Sequence, residues 1–194
     1  MNIDRQKAIE VAKHVLETKP PMVIFDTETS GIGPNDVILE IAMMDTQGSV
    51  LLNTLVRWDG IIIPEEATKV HGITVDDLKE SPTWVEVYPQ IQAILRASGG
   101  LVAYNIDFDA RMLAQSNRAA GITSCGRINT YCAMKIYANY RGDRSDNRGY
   151  KWYKLTQACA HEKVTVDNAH RAIGDVKMTL ELLKKIAQNE VQGA

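Results

Sequence analysis

Three short apolar segments follow one another early in the chain, at residues 22–26, 37–45 and 50–57. Turn-forming residues separate them, Gly31-Ile-Gly-Pro34 after the first segment and Gln47-Gly48 after the second. Apolar runs of this length with short connections predict neighbouring strands. We therefore expect the sheet to begin as an antiparallel meander.

Helical patterns dominate the rest of the sequence. Residues 3–17 have the apolar spacing of an amphipathic helix, which Pro20-Pro21 ends. Further helices are expected at 65–70, 84–97, 107–120, 131–140, 153–160 and 172–188, and short strands at 101–104 and 127–129. Strands followed by alternating helices and strands predict an α/β or α+β sheet domain covered by helices. We divide the chain into an N-terminal helical extension, 1–21, and a main domain, 22–190.

Composition restricts the class of protein. A hydrophobic share of 45% and a charged share of 24% are typical of a soluble domain with a full core. A net charge of -2 argues against a protein that coats nucleic acid by bulk positive charge. Three cysteines without a CxxC pair indicate neither a disulfide framework nor a thiolate zinc site. Because it has no apolar leader and no run of 18 apolar residues, the chain is expected to be cytoplasmic, without membrane contact.

The first apolar strand ends in two carboxylates, Asp26 and Glu28. Residues two apart in a strand point to the same face, so these side chains project together. Two adjacent like charges are costly unless one is protonated or a cation lies beside them, and oxygen ligands favour Mg²⁺, Mn²⁺ or Ca²⁺. The alternative is a strand that simply ends in a solvated polar turn.

A second apolar run leads into Asn105-Ile-Asp107-Phe-Asp109. Asn105 suits a helix N-cap and Asp107 a first helical turn, so capping and the helix dipole explain both. Asp109 has less of such an explanation. It shares the face of Asn105 and would overhang the strand that carries Asp26 if the two strands are neighbours.

A third segment contains His170 and Asp175. On one continuous helix these residues would lie about 140° apart and could not serve one site. If the helix starts after His170, the imidazole lies on the entry loop and can swing towards Asp175, with room left at Gly174. The alternative is an ordinary surface or capping histidine.

Together these segments resemble the motifs of the DEDDh group of 3'-5' exonucleases, the superfamily that includes proofreading exonucleases of DNA polymerases. The resemblance covers about residues 22–187. The three motifs are matched by Phe25-Asp-Thr-Glu-Thr-Ser-Gly31, by Asn105 with Phe108 and Asp109, and by His170-Arg-Ala172 with Asp175 and Thr179. A further landmark is Val70-His-Gly-Ile-Thr74, with Ser81-Pro82 behind it, and one departure is Tyr104, where many members carry histidine.

The resemblance implies a ribonuclease H-like α/β fold: a five-stranded mixed sheet with one antiparallel strand, flanked by helices. It implies that two Mg²⁺ or Mn²⁺ ions per site are held by Asp26, Glu28, Asp109 and Asp175. His170 would be the general base. These types of residue suit the chemistry, because phosphodiester cleavage builds up negative charge and histidine titrates near neutral pH.

The resemblance also implies a pocket for the 3'-terminal nucleotide. In it Ile73 would pack on the terminal base, and Thr29 to Ile32 would contact the sugar. The expected substrate-binding residues are Thr29, Ile32, His71, Ile73, Asn105 and Phe108. For His71 the alternative is a helix that ends at Gly72, with the histidine favoured by the dipole.

Basic and aromatic residues concentrate between residues 127 and 154, where seven basic side chains face two acidic ones and six of the twelve aromatics occur. This mixture is typical of a track for single-stranded nucleic acid. The candidate track residues are Arg141, Arg144, Arg148, Lys151 and Trp152. The alternative is a solvated loop beside a helix whose tyrosines belong to the core. A local track reconciles nucleic-acid binding with the negative net charge.

We therefore predict a metal-dependent 3'-5' exonuclease that acts on the 3' ends of nucleic acid, DNA more than RNA, single-stranded or frayed. RNA trimming or oligoribonucleotide degradation is one alternative. A nuclease-like accessory subunit of a polymerase or another nucleic-acid machine is the other. A homodimer or a polymerase-type partner is compatible with both.

Overall fold

A five-stranded mixed sheet forms the centre of the computed structural model, which describes residues 3–123, 126, 128–145, 149–165 and 171–189. Its strands are β1 (Val23–Thr29), β2 (Ile38–Asp45), β3 (Val50–Leu55), β4 (Leu101–Ala103) and β5 (Thr130–Cys132). They lie in the order β3-β2-β1-β4-β5, and β2 is antiparallel to both its neighbours, whereas β1, β4 and β5 pair in parallel. The predicted meander and the ribonuclease H-like α/β fold are confirmed.

Eight helices flank the sheet in the described residues. They are α1 (Ile3–Glu17), α2 (Glu65–His71), α3 (Val75–Leu78), α4 (Trp84–Ala97), α5 (Ile106–Ala119), α6 (Ala133–Arg141), α7 (Leu155–Glu162) and α8 (Ala172–Gln188). The strand expected near 127–129 lies at 130–132, where β5 pairs with β4. The four-residue α3 escaped prediction because it is too short for a periodic pattern and forms through a capping box of Thr74 and Asp77.

The two faces of the sheet bury different layers. Ile24 lies in the hydrophobic cluster that contains residues of α1, α6, α7 and α8. Val23 and Phe25 lie in the cluster that contains residues of α4 and α5. The alternation of a strand therefore directs Asp26 and Glu28 towards the α8 layer and Thr27 towards the α5 layer.

Helix α1 packs on α6 and α8 rather than standing apart from the sheet domain. Its buried face consists of Ala8, Ile9, Ala12 and Val15. Arg5 donates a hydrogen bond to the Tyr140 carbonyl at 2.7 Å and lies over the Tyr140 ring. The helix shares a hydrophobic cluster with β1 and α8, and the division of the chain at residue 21 stays a prediction.

Two further expectations concern cysteines and membranes. Cys132 and Cys159 are free thiols in the interior, and Cys125 lies outside the described residues. In the part of the chain that the structure describes, no helix has the length and apolarity needed to cross a bilayer.

Candidate active site

Three carboxylates converge where β1 meets α8. Asp26 and Glu28 project from β1, and Asp175 lies in the first turn of α8. Each offers an oxygen, and these atoms all lie within 4.8 Å of one another. Three hard oxygen ligands at this spacing could hold a divalent cation.

Asp109 approaches the same place from the other layer of the protein. It lies in the first turn of α5, which begins after Asn105, and it is only 3% exposed. Thr27, on the α5 side of β1, donates a hydrogen bond from Oγ1 to Asp109 Oδ1 at 2.9 Å. All four carboxylates line one cavity of about 160 Å³, together with Thr27, Tyr104, Asn105, Phe108 and Leu155.

Electrostatic repulsion within this acidic cavity is strong. Desolvation raises the pKa of Asp26 well above its ordinary value, and neighbouring charges, chiefly Asp109 and Asp175, raise it further. Desolvation also raises the pKa of Glu28 to about 8, with Asp175 as the next cause. Desolvation raises the pKa of Asp109 to about 7, although the hydrogen bond from Thr27 opposes the shift. Without a cation, the cavity favours protonated carboxyl groups near neutral pH.

A second cavity of about 380 Å³ adjoins the first and shares Thr27, Glu28 and Phe108 with it. Its other lining residues are Thr29, Ser30, Gly31, Ile32, Pro64, Glu66, Ala67, Val70 and His71. Four of the six expected substrate-binding residues therefore line this second cavity: Thr29, Ile32, His71 and Phe108. Asn105 lines the acidic cavity instead.

His71 is oriented by its own backbone. Its Nδ1 accepts a hydrogen bond from the Ile73 N–H at 3.0 Å, so the neutral ring carries its proton on Nε2. Nε2 is buried beside the Thr29 backbone, and no side chain of the described residues accepts a hydrogen bond from it. Burial lowers the pKa of His71. The ring is therefore a neutral donor beside the second cavity.

Ile73 lies in the interior and not on the wall of this cavity. It is 2% exposed and packs with Leu39 and Leu78. The reason is local: Gly72 ends α2 in the left-handed region, at φ 75°, and the chain then turns inward to the N-cap of α3. Ile73 was expected to pack on the terminal base. The apolar side chain that lines the cavity in this part of the chain is Val70, which is 56% exposed.

A fifth carboxylate beside the acidic cavity has its own partner. Glu40 of β2 is the cross-strand neighbour of Glu28 and is 2% exposed. Arg171 donates to both of its oxygens, at 2.7 Å from Nη2 and 3.0 Å from Nε, and the Ala172 N–H donates at 3.1 Å. The sequence analysis missed this pair, although a glutamate inside an apolar strand was a usable signal.

A family model decides what kind of protein this is. The model RNase_T, described as exonuclease, matches residues 23–183. The chain belongs to this exonuclease family. The protein named uncharacterized exonuclease CP81, of Escherichia phage 186, is 39% identical over 194 residues, which cover 97% of this chain and 98% of that protein. DNA polymerase III subunit epsilon of Treponema pallidum is 27% identical over 169 residues, 81% of this chain and 72% of the subunit.

Among solved structures, Escherichia coli exonuclease I in complex with a dT13 oligonucleotide resembles this exonuclease with a TM-score of 0.71 and 17% sequence identity. The match covers 86% of this chain but 41% of that one. The exonuclease thus spans less than half of that chain, and the likeness concerns the fold alone.

The proposed general base of the exonuclease, His170, lies outside the described residues. The next residue, Arg171, is described and is the N-cap of α8. The helix therefore starts after His170, which is the condition under which histidine and Asp175 can serve one site.

The basic stretch of the exonuclease is largely occupied with its own contacts. Arg141 forms an ion pair with Asp143 at 3.1 Å, Arg144 lies over the Tyr150 ring, and Lys151 lies over the Tyr153 ring. The rings of Tyr137, Tyr140 and Tyr153 belong to the core, as the alternative interpretation states. Trp152 is 62% exposed, and Arg148 lies outside the described residues.

Proposed function

We propose that this exonuclease removes nucleoside monophosphates from the 3' end of DNA, single-stranded or frayed, by metal-dependent phosphodiester hydrolysis. One observation carries the proposal: four carboxylates from β1, α5 and α8 meet in one cavity, and no cationic side chain is among its described lining residues. A cluster of carboxylates at this spacing is suited to cations from solution.

The donor set fits Mg²⁺ or Mn²⁺, two ions per site. Asp26, Glu28 and Asp175 would share one site, and Asp109, held by Thr27, would complete the ligand set. The ions would supply charge neutralisation at the phosphate and a water of lowered pKa. The raised pKa of the carboxylates supports this assignment, because a bound dication would offset both the desolvation and the repulsion that cause the shift.

The residues of the chain supply the remaining steps. His170 would accept the proton of the attacking water, as a side chain that titrates near neutral pH can do. The second cavity would hold the terminal nucleotide, with apolar walls at Ile32, Val70 and Phe108 for the base and with His71 in its lining. A volume of about 380 Å³ is in the range of small-molecule sites.

The arrangement of the two cavities supports removal of one terminal nucleotide at a time, and the 3'-5' polarity is taken from the resemblance to 3'-5' exonucleases. They share Thr27, Glu28 and Phe108, so a phosphate beside the carboxylates leaves room for one residue on the side of the second cavity. The rest of the strand would leave past Asn105 and Leu155 towards the stretch with Trp152, which is exposed for stacking. Arg141, Arg144, Arg148 and Lys151 would line this exit.

An accessory role is the second candidate. It is favoured by the similarity to a protein named as a polymerase subunit. The complete set of four carboxylates favours catalysis over pure binding, and both roles can coexist in one chain. RNA as the substrate is a further alternative, since discrimination depends on a few contacts near the ribose 2'-position.

End-labelled oligonucleotides test the proposal. With Mg²⁺ or Mn²⁺, a 5'-labelled DNA strand should shorten stepwise, a 3'-labelled strand should release labelled mononucleotide first, and EDTA should stop both reactions. Asp26→Asn should abolish cleavage and keep the circular dichroism spectrum. Full activity of that variant would overturn the site assignment, and early release of a 5' label as mononucleotide would overturn the polarity. Equal rates on matched RNA would refute the DNA preference.

A further inference from the structure

Two cations of the basic stretch, Arg144 and Lys151, lie over tyrosine rings. The Arg144 guanidinium carbon is 4.7 Å from the centre of the Tyr150 ring, and Lys151 Nζ is 5.1 Å from the centre of the Tyr153 ring. Both cationic residues are exposed. A guanidinium or ammonium group on a ring still directs N–H donors towards solvent, where phosphate oxygens can accept hydrogen bonds. The two rings therefore set the place of two charges that could contact a nucleic-acid strand.

The backbone that carries these side chains forms a short antiparallel ribbon. Two backbone hydrogen bonds of 2.9 Å join residues 143–145 to residues 149–151. We name residues 143–145 and 149–152 the Trp152 ribbon, after the exposed aromatic residue at its end. A two-stranded ribbon this short is at best marginally stable in water by itself. Its position in the protein therefore depends on contacts outside the ribbon.

Each of the two rings is held by an aspartate. The Tyr153 hydroxyl donates a hydrogen bond to Asp143, which belongs to the ribbon itself. The Tyr150 hydroxyl donates to Asp4, in the first turn of α1, and this contact joins residues 146 positions apart. Helix α1 is in turn held by its packing on α6 and α8. The helix therefore provides a long-range anchor for the ring that carries Arg144.

One end of the Trp152 ribbon adjoins the acidic cavity. Tyr104 lines that cavity and donates from its hydroxyl to the Tyr153 carbonyl at 2.6 Å. Leu155, two residues beyond Tyr153, lines the cavity as well. The ribbon is thus fixed near the cavity by Tyr104 and on α1 by Asp4. It lies beside the exit past Leu155 that the proposed function assigns to the strand.

We propose that Asp4 is a positioning residue for substrate binding. Through the Tyr150 hydroxyl it holds the Trp152 ribbon in the place where Arg144, Lys151 and Trp152 contact the strand on the 5' side of the cleaved phosphate. This role rests on the proposed function and gives α1 a part in strand binding besides packing.

The sign of the effect separates this role from simple electrostatics. Removal of a carboxylate near bound nucleic acid should, by charge alone, strengthen binding, because phosphates are repelled less. Loss of the anchor should weaken binding instead, since Arg144 and Trp152 would no longer be held in one arrangement. A weaker complex after removal of Asp4 is therefore the signature of positioning.

Fluorescence polarisation of labelled dT16 tests the proposal on the full chain, in EDTA and with Asp26→Asn as the parent, so that no strand is cleaved. Asp4→Ala should weaken binding about threefold or more, and Tyr150→Phe, which keeps the ring under Arg144, should weaken it by a similar factor. Asp4→Asn keeps an acceptor oxygen and should stay within about twofold of the parent. Glu10→Ala, the same charge change on an exposed residue of α1, is the matched control and should bind dT16 at least as tightly as the parent.

Cleavage kinetics separate positioning from a general loss of structure. With Mg²⁺ or Mn²⁺ and Asp26 present, Asp4→Ala should raise KM for dT16 about threefold and leave kcat unchanged. On a thymidine dinucleotide, which has a single nucleotide on the 5' side, kcat/KM should stay within about twofold of wild type. An equal loss on both substrates would show a structural defect and overturn the positioning role.

The binding and cleavage assays fail independently of each other. Equal dT16 affinity in Asp4→Ala and Glu10→Ala, tighter binding by Asp4→Ala, or no binding by the parent would overturn the role of Asp4, and stepwise cleavage by the wild type would still support the proposed function. Weaker binding by Asp4→Ala alone, together with no cleavage by the wild type, would keep the role of Asp4 in strand binding and remove the exonuclease proposal. If Asp4→Ala loses the circular dichroism spectrum of the fold, Tyr150→Phe decides by the same comparison with Glu10→Ala.

Discussion

Glu28 and Glu40 are cross-strand neighbours with opposite fates. Glu40 is buried and receives two hydrogen bonds through the fork of Arg171 and one from the backbone of α8. Glu28 faces three other carboxylates across the acidic cavity, and desolvation raises its pKa to about 8. The protein therefore pairs one carboxylate with an arginine and crowds the others into one cavity, where they could hold a cation.

The difference teaches which charges serve stability and which serve chemistry. The half-exposed Arg171 pairs with buried Glu40 and anchors α8 to the sheet, and removing the arginine leaves an uncompensated buried charge. Carboxylates crowded into one cavity destabilise the metal-free fold when they are charged, and the packing around β1 has to hold them together. Strain of this kind is typical of functional sites.

The largest predicted effect concerns the acidic cavity and not the Glu40–Arg171 pair. It is the pH dependence of the free energy of unfolding of the metal-free protein. The folded-state pKa of Glu28, about 8, lies above its ordinary value of 4.5, so this group favours the fold fully below pH 4.5 and loses that contribution as the pH rises through 8. At 1.36 kcal/mol per unit, the loss is about 5 kcal/mol for Glu28 alone. Urea unfolding in EDTA between pH 5 and 8 measures it.

Two comparisons check that result. Glu28→Gln should unfold with a much flatter pH profile, because the titrating group is gone. Saturating Mn²⁺ at pH 8 should restore stability by about 2.7 kcal/mol when its concentration is one hundred times the dissociation constant. An EDTA-treated wild type that is equally stable at pH 5.5 and pH 8 would contradict the assignment of Glu28 as an unpaired carboxylate.

A second prediction uses two aspartates in one helical turn. Asp109 lines the acidic cavity, whereas Asp107 is exposed and pairs with Lys135 at 2.7 Å. Asp109→Asn should lower nuclease activity at least about 10³-fold, a loss of about 4 kcal/mol in transition-state stabilisation, and should not lower stability at pH 8. Asp107→Asn, the matched control, should keep activity within about twofold. Similar losses in both variants would mean that helix capping, not the cavity, explains Asp109.

These paired cases show why the sequence predicted the cavity and not its surroundings. Spacing within one strand is local, so the shared face of Asp26 and Glu28 followed from periodicity, whereas the combination with Asp109 and Asp175 was implied by the family resemblance. The Glu40–Arg171 pair joins residues 131 positions apart. Nothing in either local pattern identifies such a partner, and only the register of β2 against β1 brings it to the cavity.

The same reasoning explains why Ile73 and two tyrosines of the basic stretch lie in the interior instead of at the expected substrate-binding surfaces. Ile73 has an apolar side chain that suits a base, but a left-handed Gly72 and the short α3 turn it inward. The tyrosines of the basic stretch match a stacking track by composition, yet the core takes Tyr137 and Tyr140 because α6 packs on α1. Composition does not say which face of an amphipathic helix a partner helix will cover.

The third prediction tests the ion pair between Glu40 and Arg171. Arg171→Met removes the partner of buried Glu40 and should destabilise the fold by about 3 kcal/mol at pH 7. Arg57→Met is the control, since Arg57 pairs with the highly exposed Asp59 and its loss should cost at most about 1 kcal/mol. Thermal unfolding of both variants measures the contrast. Equal small losses would mean that the backbone N–H of Ala172 alone satisfies Glu40.

The smallest predicted effect concerns the link between the two layers at the acidic cavity. Thr27 points away from Asp26 and Glu28, yet its hydroxyl holds the carboxylate of Asp109, which reaches the cavity from α5. Side chains that orient a metal ligand are worth about 10- to 100-fold in affinity, and a single neutral donor belongs at the lower end. Thr27→Val should therefore weaken Mn²⁺ binding about tenfold, or about 1.4 kcal/mol, by calorimetric titration.

Thr54→Val provides the control for that titration, because Thr54 lies on β3 and donates only to the carbonyl of Leu55. Its Mn²⁺ affinity should equal that of wild type. If Thr27→Val also binds Mn²⁺ normally, Asp109 is either held in place by α5 alone or is not a ligand, and Asp109→Asn decides between the two. Normal affinity in Asp109→Asn would leave the ion to Asp26, Glu28 and Asp175. Weakened affinity there would assign the positioning of Asp109 to the helix.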